Sequence, residues 1–474
     1  MEPDAALAGD GETLAPEPTS KGFLGHPIGL AYLAFTEAWE RFSFYGMQAL
    51  LVLYMVDRLL KPGHVDHVVA FAPFKGLLEG VYGPQSIQGL ASLVFGTYTS
   101  CVYVTPVLGG LLGDRVLGRR LAITIGAVCM ACGHFLMIFE GAFLAALLML
   151  ILGCGLLKGN IASQVGKLYS ETDPRRSDAF QIFTLAVNAG VIAAPLICGT
   201  LGEVYGWHYG FAAAGVGMLI GLGIYLSGYK HLPADRPVRR SAADGPAPPR
   251  VKLTGRDWLT IVSLLTLLPI LAVAFVGNNQ IYNAYMIWAR DNVDLQVLGM
   301  QMPVTWLQSY DAASSVGTLI LAVWFWRRLA AKGIVPHELV KLGLGCAISI
   351  FGFCGLAAAA YIQSLTGAKV SMAWILAFHL VNNLGFANIL PVALALFSRC
   401  SPPSVNATMI GVFYLLFFGA NQLVGWIGSL YGSMSHPVFW LLHAGLGASS
   451  AAAILILYRP LKSVLDPKVA PALL

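Results

Sequence analysis

The sequence predicts an all-α integral membrane protein, with twelve transmembrane helices in two six-helix bundles. Three observations carry that expectation. Of 474 residues, 57% are hydrophobic and only 11% charged, against about 45–50% and 25% in soluble globular chains, and the mean hydropathy is +0.70. Apolar runs long enough to cross a bilayer, about 20 residues at 1.5 Å each, recur twelve times. The basic residues between those runs fall mainly on one side. A surface with so few charges is covered by lipid, which excludes ordinary soluble enzymes and nucleic-acid binders.

Charged or Pro/Gly-rich breaks delimit the runs at about 28–57, 88–113, 119–139, 142–169, 178–201, 208–229, 258–289, 303–326, 336–363, 370–398, 405–431 and 436–458. Several exceed 25 residues, so they tilt or extend past the hydrocarbon. Residues 1–27 read as a tail, because Met1–Lys21 is acidic and Pro-rich with no basic start or apolar core. The basic, Pro- and Ala-rich stretch 230–257 reads as a linker dividing the spans six and six, into bundles 28–229 and 258–458, with 459–474 a second tail. Residues 61–88 form an irregular connection with a short helix expected near Pro73–Tyr82.

With both termini cytoplasmic, 22 of the 29 Lys and Arg lie on that side. Five lie outside (Arg58, Lys61, Lys75, Arg290, Lys369), and Arg41 and Lys158 lie within spans. The positive-inside rule favours this orientation. The eight cysteines sit mostly in apolar runs and read as small fillers. No metal-ligand spacing is present beyond the lone Cys129/Cys132 pair, so neither a metal nor a cofactor is expected.

Ionisable groups at membrane depth are the informative residues, because each is costly unless paired or facing a wet cavity. Glu37, Glu40 and Arg41 stand at i, i+3 and i+4 on one face of the first span, about 9–13 residues and roughly 14–20 Å into it. Two acids and one base leave a carboxylate able to take a proton, unless Lys158 in the fourth span neutralises the excess. A buried ion-pair network that only fixes packing is the competing account.

The string Gly109-Gly110-Leu-Leu-Gly-Asp114-Arg115-Val-Leu-Gly118-Arg119-Arg120 resembles the cytoplasmic signature loop of the major facilitator superfamily, with a fainter echo at Trp326-Arg327-Arg328…Lys332-Gly333. Its glycines allow close helix approach, and Asp114 and Arg115 are assigned to structure and gating. The first-span motif Glu37-x-x-Glu40-Arg41-Phe42-x-x-Tyr45-Gly46 is similar to that of the proton-dependent oligopeptide transporter family within that superfamily. Tyr103 with Pro106, Lys158 with Asn160, Asn188-x-Gly190, Gly206-Trp207, Pro303-x-x-Trp306-x-Gln308-Ser309, Gly385 and Pro391 extend the resemblance along the chain. It implies uptake of di- and tripeptides driven by protons. Arg41 and Lys158 would receive the peptide carboxylate, Tyr45, Tyr103 and Asn188 its backbone, and Glu37 and Glu40 the proton.

The second half departs from the family pattern. Asn279 stands where the family has a proton-linked Glu, just before Gln280, and Gly385-Phe386 where a span-ten Glu takes the amino terminus. Conversely, Asp311 replaces the usual Asn after Gln308-Ser309. Asp311 is therefore expected to supply the lost negative charge, as an ammonium binder or a second proton carrier, unless it is only a hydrated carboxylate in the outer vestibule. Asn279, Gln280 and Phe386 are expected at the substrate, Asn279 foremost, although the polar residues of these spans (Asn278, Asn279, Gln280 and Asn283 in the seventh, Asn382, Asn383 and Asn388 in the tenth) either line a cavity or hold helices together by hydrogen bonds. His134, His379 and His443 read as hydrogen-bonded core residues.

The expected protein is thus a proton-coupled symporter in a cell (inner) membrane, working by alternating access as a monomer. Its partners would be protons, a small peptide or peptide-like solute and the lipid bilayer, with no nucleic acid. Two alternatives stay open: a carrier of modified peptides or other organic anions lacking a free amino terminus, and a transport-like solute sensor. Neither an HExxH metal motif nor a GxSxG elbow is present to suggest an enzyme.

Overall fold

The computed structural model describes residues 22–170, 172–233 and 253–466. Fifteen α-helices follow in order. The first half holds α1 (Ile28–Tyr54), α2 (Phe71–Tyr82), α3 (Ile87–Leu112), α4 (Arg119–Leu136), α5 (Phe143–Lys167), α6 (Arg175–Ala194) and α7 (Trp207–Ser227). The second holds α8 (Gly255–Gln280), α9 (Ala284–Asn292), α10 (Trp306–Ala331), α11 (Glu338–Thr366), α12 (Met372–Phe386), α13 (Leu390–Cys400), α14 (Asn406–Ser429) and α15 (His436–Leu465). Counting α8 with α9 and α12 with α13 as broken spans, twelve crossings result, and α2 is the expected short helix.

Ten of the crossings are apolar and long enough to traverse a bilayer by length and composition. The two that fall short are α1 and α10, which carry Glu37, Glu40, Arg41 and Asp311. They are helices of a membrane protein all the same, because their polar faces turn inward and those four side chains are buried.

Within the first half α1 packs on α6 and α7, and α5 on α3 and α4. Within the second, α11 packs on α12 and α15, and α8 on α14 and α15. Glycines set the closest crossings. A Cβ at Gly109 would lie 2.1 Å from the Gly155 carbonyl oxygen, and one at Gly113 2.1 Å from Asn160 Oδ1. Asn160 uses that proximity, donating from Nδ2 to the Gly109 carbonyl at 3.0 Å. Asp114 follows in a π-helical turn and holds Arg119 at the start of α4 at 2.7 Å, while Arg115 is exposed. Between the halves, α3 lies along α14. There Gly96 approaches so closely that an added Cβ would sit 2.5 Å from the Gly425 Cα.

Several helix ends differ from the expected limits, two of them at the edges of the expected bundles. Helix α15 continues to Leu465, seven residues past the predicted end, because Arg459 and Lys462 are favourable at a helix C-terminus and do not break it. Residues 230–233 and 253–257 are described and α8 starts at Gly255 behind a Thr254/Asp257 capping box. The rest of the expected linker, and the tails at 1–21 and 467–474, lie outside the described residues.

The face where α1 begins is called the near face here, and the opposite one the far face. Among the described residues, the side-chain bonds that join the two halves lie at mid-depth or on the far side. Arg290 pairs with Asp57. Glu203 accepts from the Val304 and Thr305 main-chain N–H groups at 2.9 and 3.0 Å and from Thr305 Oγ1 at 2.6 Å. Trp306 Nε1 donates to Thr200 Oγ1 at 2.8 Å, and Ser309 Oγ to the Ile192 carbonyl at 2.7 Å. The molecule is therefore latched across its far face.

Candidate functional site

A cavity of about 330 Å³ lies between the halves at mid-depth. Tyr45, Tyr103 and Asn188 line it from the first half. From the second half come Asn279, Asp311 and Phe386. Six of the residues expected at the substrate thus converge on one chamber. Aromatic contacts span it: Tyr45 and Tyr282 have ring centroids 6.1 Å apart, and Tyr103 stacks on Phe417 at 4.8 Å.

Both broken spans open at this chamber. Between α8 and α9 the helix is interrupted at Ile281–Asn283, with Asn278, Asn279 and Tyr282 at the wall. Between α12 and α13 it is interrupted at Ala387–Ile389, where Pro391 follows at the start of α13; its missing N–H and fixed φ prevent a continuous helix. Irregular backbone at membrane depth is tolerated only where it is buried in protein or lines a cavity.

The charged cluster stands one layer behind the tyrosines. Arg41 reaches Glu37 through Nε–Oε1 at 3.2 Å and also pairs with Glu40. All three are at most 6% exposed. The pairs are close in distance but lack hydrogen-bond alignment, leaving both Glu40 oxygens and Glu37 Oε2 without a hydrogen bond. Lys158 lies over aromatic rings, with Nζ 4.4 Å from the Phe44 centroid and 5.6 Å from that of Tyr103. Among the described residues no carboxylate lies within ion-pair distance of it. Arg41 and Lys158 are therefore not in the cavity wall, as a direct carboxylate receptor would be. Tyr45 and Tyr103 stand in front of them.

Asp311 departs from the hydrated-vestibule account. It is 5% exposed, faces the cavity, and its Oδ1 lies 2.8 Å from His379 Nδ1 and 2.8 Å from Asn383 Nδ2. On its other side His379 Nε2 lies 2.7 Å from the Tyr285 hydroxyl. His379 is thus the hydrogen-bonded core histidine that was expected, but the partner is the site carboxylate. That link joins residues 68 positions apart and leaves no trace in local spacing. His443 Nδ1 lies 2.8 Å from the Phe439 carbonyl oxygen. His134 differs from expectation: it is fully buried with both ring nitrogens unpartnered.

Gln280 also differs. It is fully buried away from the cavity, and its amide, with that of Asn283, occupies space beside Gly428. One residue along a helix is a turn of about 100°, so the neighbour of a cavity residue points elsewhere. Asn279 does face the cavity, 3.5 Å from Asn421 Oδ1. Phe386 packs edge-on against Phe275 with centroids 4.9 Å apart, an apolar contact where the family pattern has an acid. Asn188 Nδ2 is held by the Thr184 carbonyl at 3.0 Å. Tyr282 was not expected as a wall residue; Asn383, open beforehand between lining a cavity and bonding helices together, is in the wall.

Comparison with known proteins agrees with this architecture. The chain is 28% identical to the uncharacterized transporter YclF of Bacillus subtilis (strain 168), over 96% of this chain and 99% of that one. It is 27% identical to the peptide transporter YePEPT of Yersinia enterocolitica, over 88% and 90%. A crystal structure of a peptide transporter POT in complex with sulfate shares the fold, with a TM-score of 0.80 at 23% identity over 94% of this chain and 97% of that one. The family model described as the POT family matches residues 120–244 and 256–436, well over half of the sequence. On that match the chain belongs to the POT family, a family of membrane transporters and not of enzymes.

Proposed function

We propose that this protein is a proton-coupled symporter that moves di- or tripeptides, or peptide-like solutes, by alternating access around the mid-depth cavity. One observation carries the reading. The chamber becomes bipolar on protonation: behind its first-half wall Arg41 and Lys158 balance Glu37 and Glu40, so a proton on one of those carboxylates leaves a net positive charge there, while Asp311 stands in its second-half wall. A zwitterion has the complementary ends. The volume is at the small end of ligand sites, which suits a short peptide. Glu37 and Glu40 share one cation, Arg41, so the cluster has a carboxylate to spare for a proton. Closing the chamber requires that the buried charges be balanced, because an uncompensated charge in a dry site is costly. With the near face read as the cytoplasmic one from the distribution of basic residues, the latched far face supports an inward-facing arrangement, in a carrier that works as a monomer in the cell membrane.

A second reading has its own observation. Phe386, packed on Phe275, removes the acid expected at an amino-terminus site, which favours a solute without a free amine. Uptake of an alanine dipeptide into proteoliposomes, with and without an inward proton gradient, decides between them. Gradient-driven accumulation lost in Asp311→Asn supports the primary reading. No accumulation by the unaltered protein would turn the search to acylated peptides and other organic anions.

A further inference from the structure

The cavity carboxylate is not a lone acid. With Asp311 ionised, its oxygens only accept, so His379 Nδ1, 2.8 Å from Oδ1, must carry the hydrogen. In the neutral ring Nε2 is then the acceptor, and the Tyr285 hydroxyl at 2.7 Å is its donor. Asn383 Nδ2 adds a second donor to the same Oδ1 at 2.8 Å, while its hydrogens also serve Ser314 Oγ at 2.8 Å and, as a shared contact, the Asp311 carbonyl at 3.1 Å. Every donor is aimed at Oδ1. Oδ2 takes no hydrogen bond from the described residues, and Asp311 belongs to the cavity wall.

The surroundings hold no competing cation. The titratable groups against Asp311 are His379 from α12, Tyr285 from α9, Tyr282 from the break before it, and Tyr310 on α10 itself, whose ring lies 5.8 Å from that of His379. Among the described residues no Lys or Arg comes within ion-pair distance of Asp311. His379 and Tyr285 are fully buried, out of reach of any solute in the cavity.

We propose that His379, with Tyr285 behind it, is a positioning residue that turns Asp311 Oδ2 into the cavity as the acceptor for a substrate ammonium. The consequence is selectivity for a free amine, set from outside the cavity. This rests on the reading of the protein as a carrier of zwitterionic peptides. A side chain that only packed the core would, when altered, impair all solutes alike. One that positions Oδ2 affects only those bearing an ammonium.

The test is proteoliposome uptake of dialanine in competition with N-acetyl-dialanine, reported as the ratio of their apparent KM values. The unaltered protein should prefer dialanine by about tenfold or more, the scale of one charge-assisted hydrogen bond. His379→Leu should abolish that preference by raising KM for dialanine, with KM for the acetylated peptide and kcat both within about twofold. His379→Asn places an amide donor near Nδ1 and should restore most of the preference. A preference intact in a monodisperse His379→Leu protein overturns the proposal while the peptide reading stands. Should His379→Leu not fold, Tyr285→Phe keeps the ring and decides: a clear drop in preference supports the proposal, and an unchanged ratio overturns it. If the unaltered protein carries neither solute, the peptide reading fails and this inference falls with it. Equal use of both solutes overturns the inference alone.

Discussion

Arg41 is the one cation within ion-pair distance of Glu37 and Glu40 among the described residues. Replacing it with Leu leaves two carboxylates buried without a partner. Breaking a buried pair in this way costs about 3–5 kcal/mol, so Arg41→Leu should show a much lower yield of monodisperse protein and no gradient-driven uptake. The neutral triple replacement Glu37→Gln, Glu40→Gln, Arg41→Gln should recover folding without recovering coupling. Size-exclusion profiles beside uptake assays separate the two effects. The cluster was legible in the sequence because its members are three and four residues apart, a spacing that fixes them on one face. The Asp311–His379 pair was not, since contact between α10 and α12 is a matter of tertiary packing. Gln280 was misplaced for a related reason: adjacency in sequence to Asn279 says nothing about facing the same way on a helix.

At the scale of elements, the α3–α5 crossing gives a sharp contrast between neighbouring glycines. A methyl group at Gly109 would meet the Gly155 backbone at 2.1 Å, whereas one at Gly110 finds Gly159 O at 3.5 Å, ordinary contact. Gly109→Ala forces two backbones apart, at a cost of about 1–3 kcal/mol, and should lower the Tm in detergent. Gly110→Ala should leave it unchanged. Thermal unfolding of the two variants side by side checks the crossing. The spans themselves followed from hydropathy, because a bilayer imposes length and apolarity on every helix. The two breaks were less visible. The one before α13 has Pro391 as a marker, but the one between α8 and α9 falls in Asn278–Asn283, which holds neither Pro nor Gly. Polar side chains there signal a cavity, not a change of backbone.

For the whole molecule, the latches across the far face hold the two halves in one arrangement. Glu203 is the strongest single element, since its carboxylate takes three hydrogen bonds from the segment that starts α10. Glu203→Gln weakens them and should shift the population toward a form open at the far face. The thiol introduced by Ser309→Cys, at a position now bonded to the Ile192 carbonyl, should then react several-fold faster with an impermeant maleimide, read site by site by mass spectrometry. An unchanged rate would mean that Glu203 does not hold the halves. The contact of Gly96 with Gly425 has a mechanical meaning in this setting. Neither residue has a side chain to interlock, so α3 and α14 meet there backbone to backbone as at a fulcrum, with Gln88 Nε2 and Ser100 Oγ bonded to the Gly428 and Phe418 carbonyls of α14 on either side. Gly96 stands nine residues from the far end of α3 and sixteen from its near end, giving unequal lever arms of about 14 and 24 Å. A tilt of about 10° at that point displaces the far end by roughly 2 Å and the near end by roughly 4 Å. In the alternating-access cycle proposed above, a modest release at the latched end would thus be geared up into a larger sweep at the other.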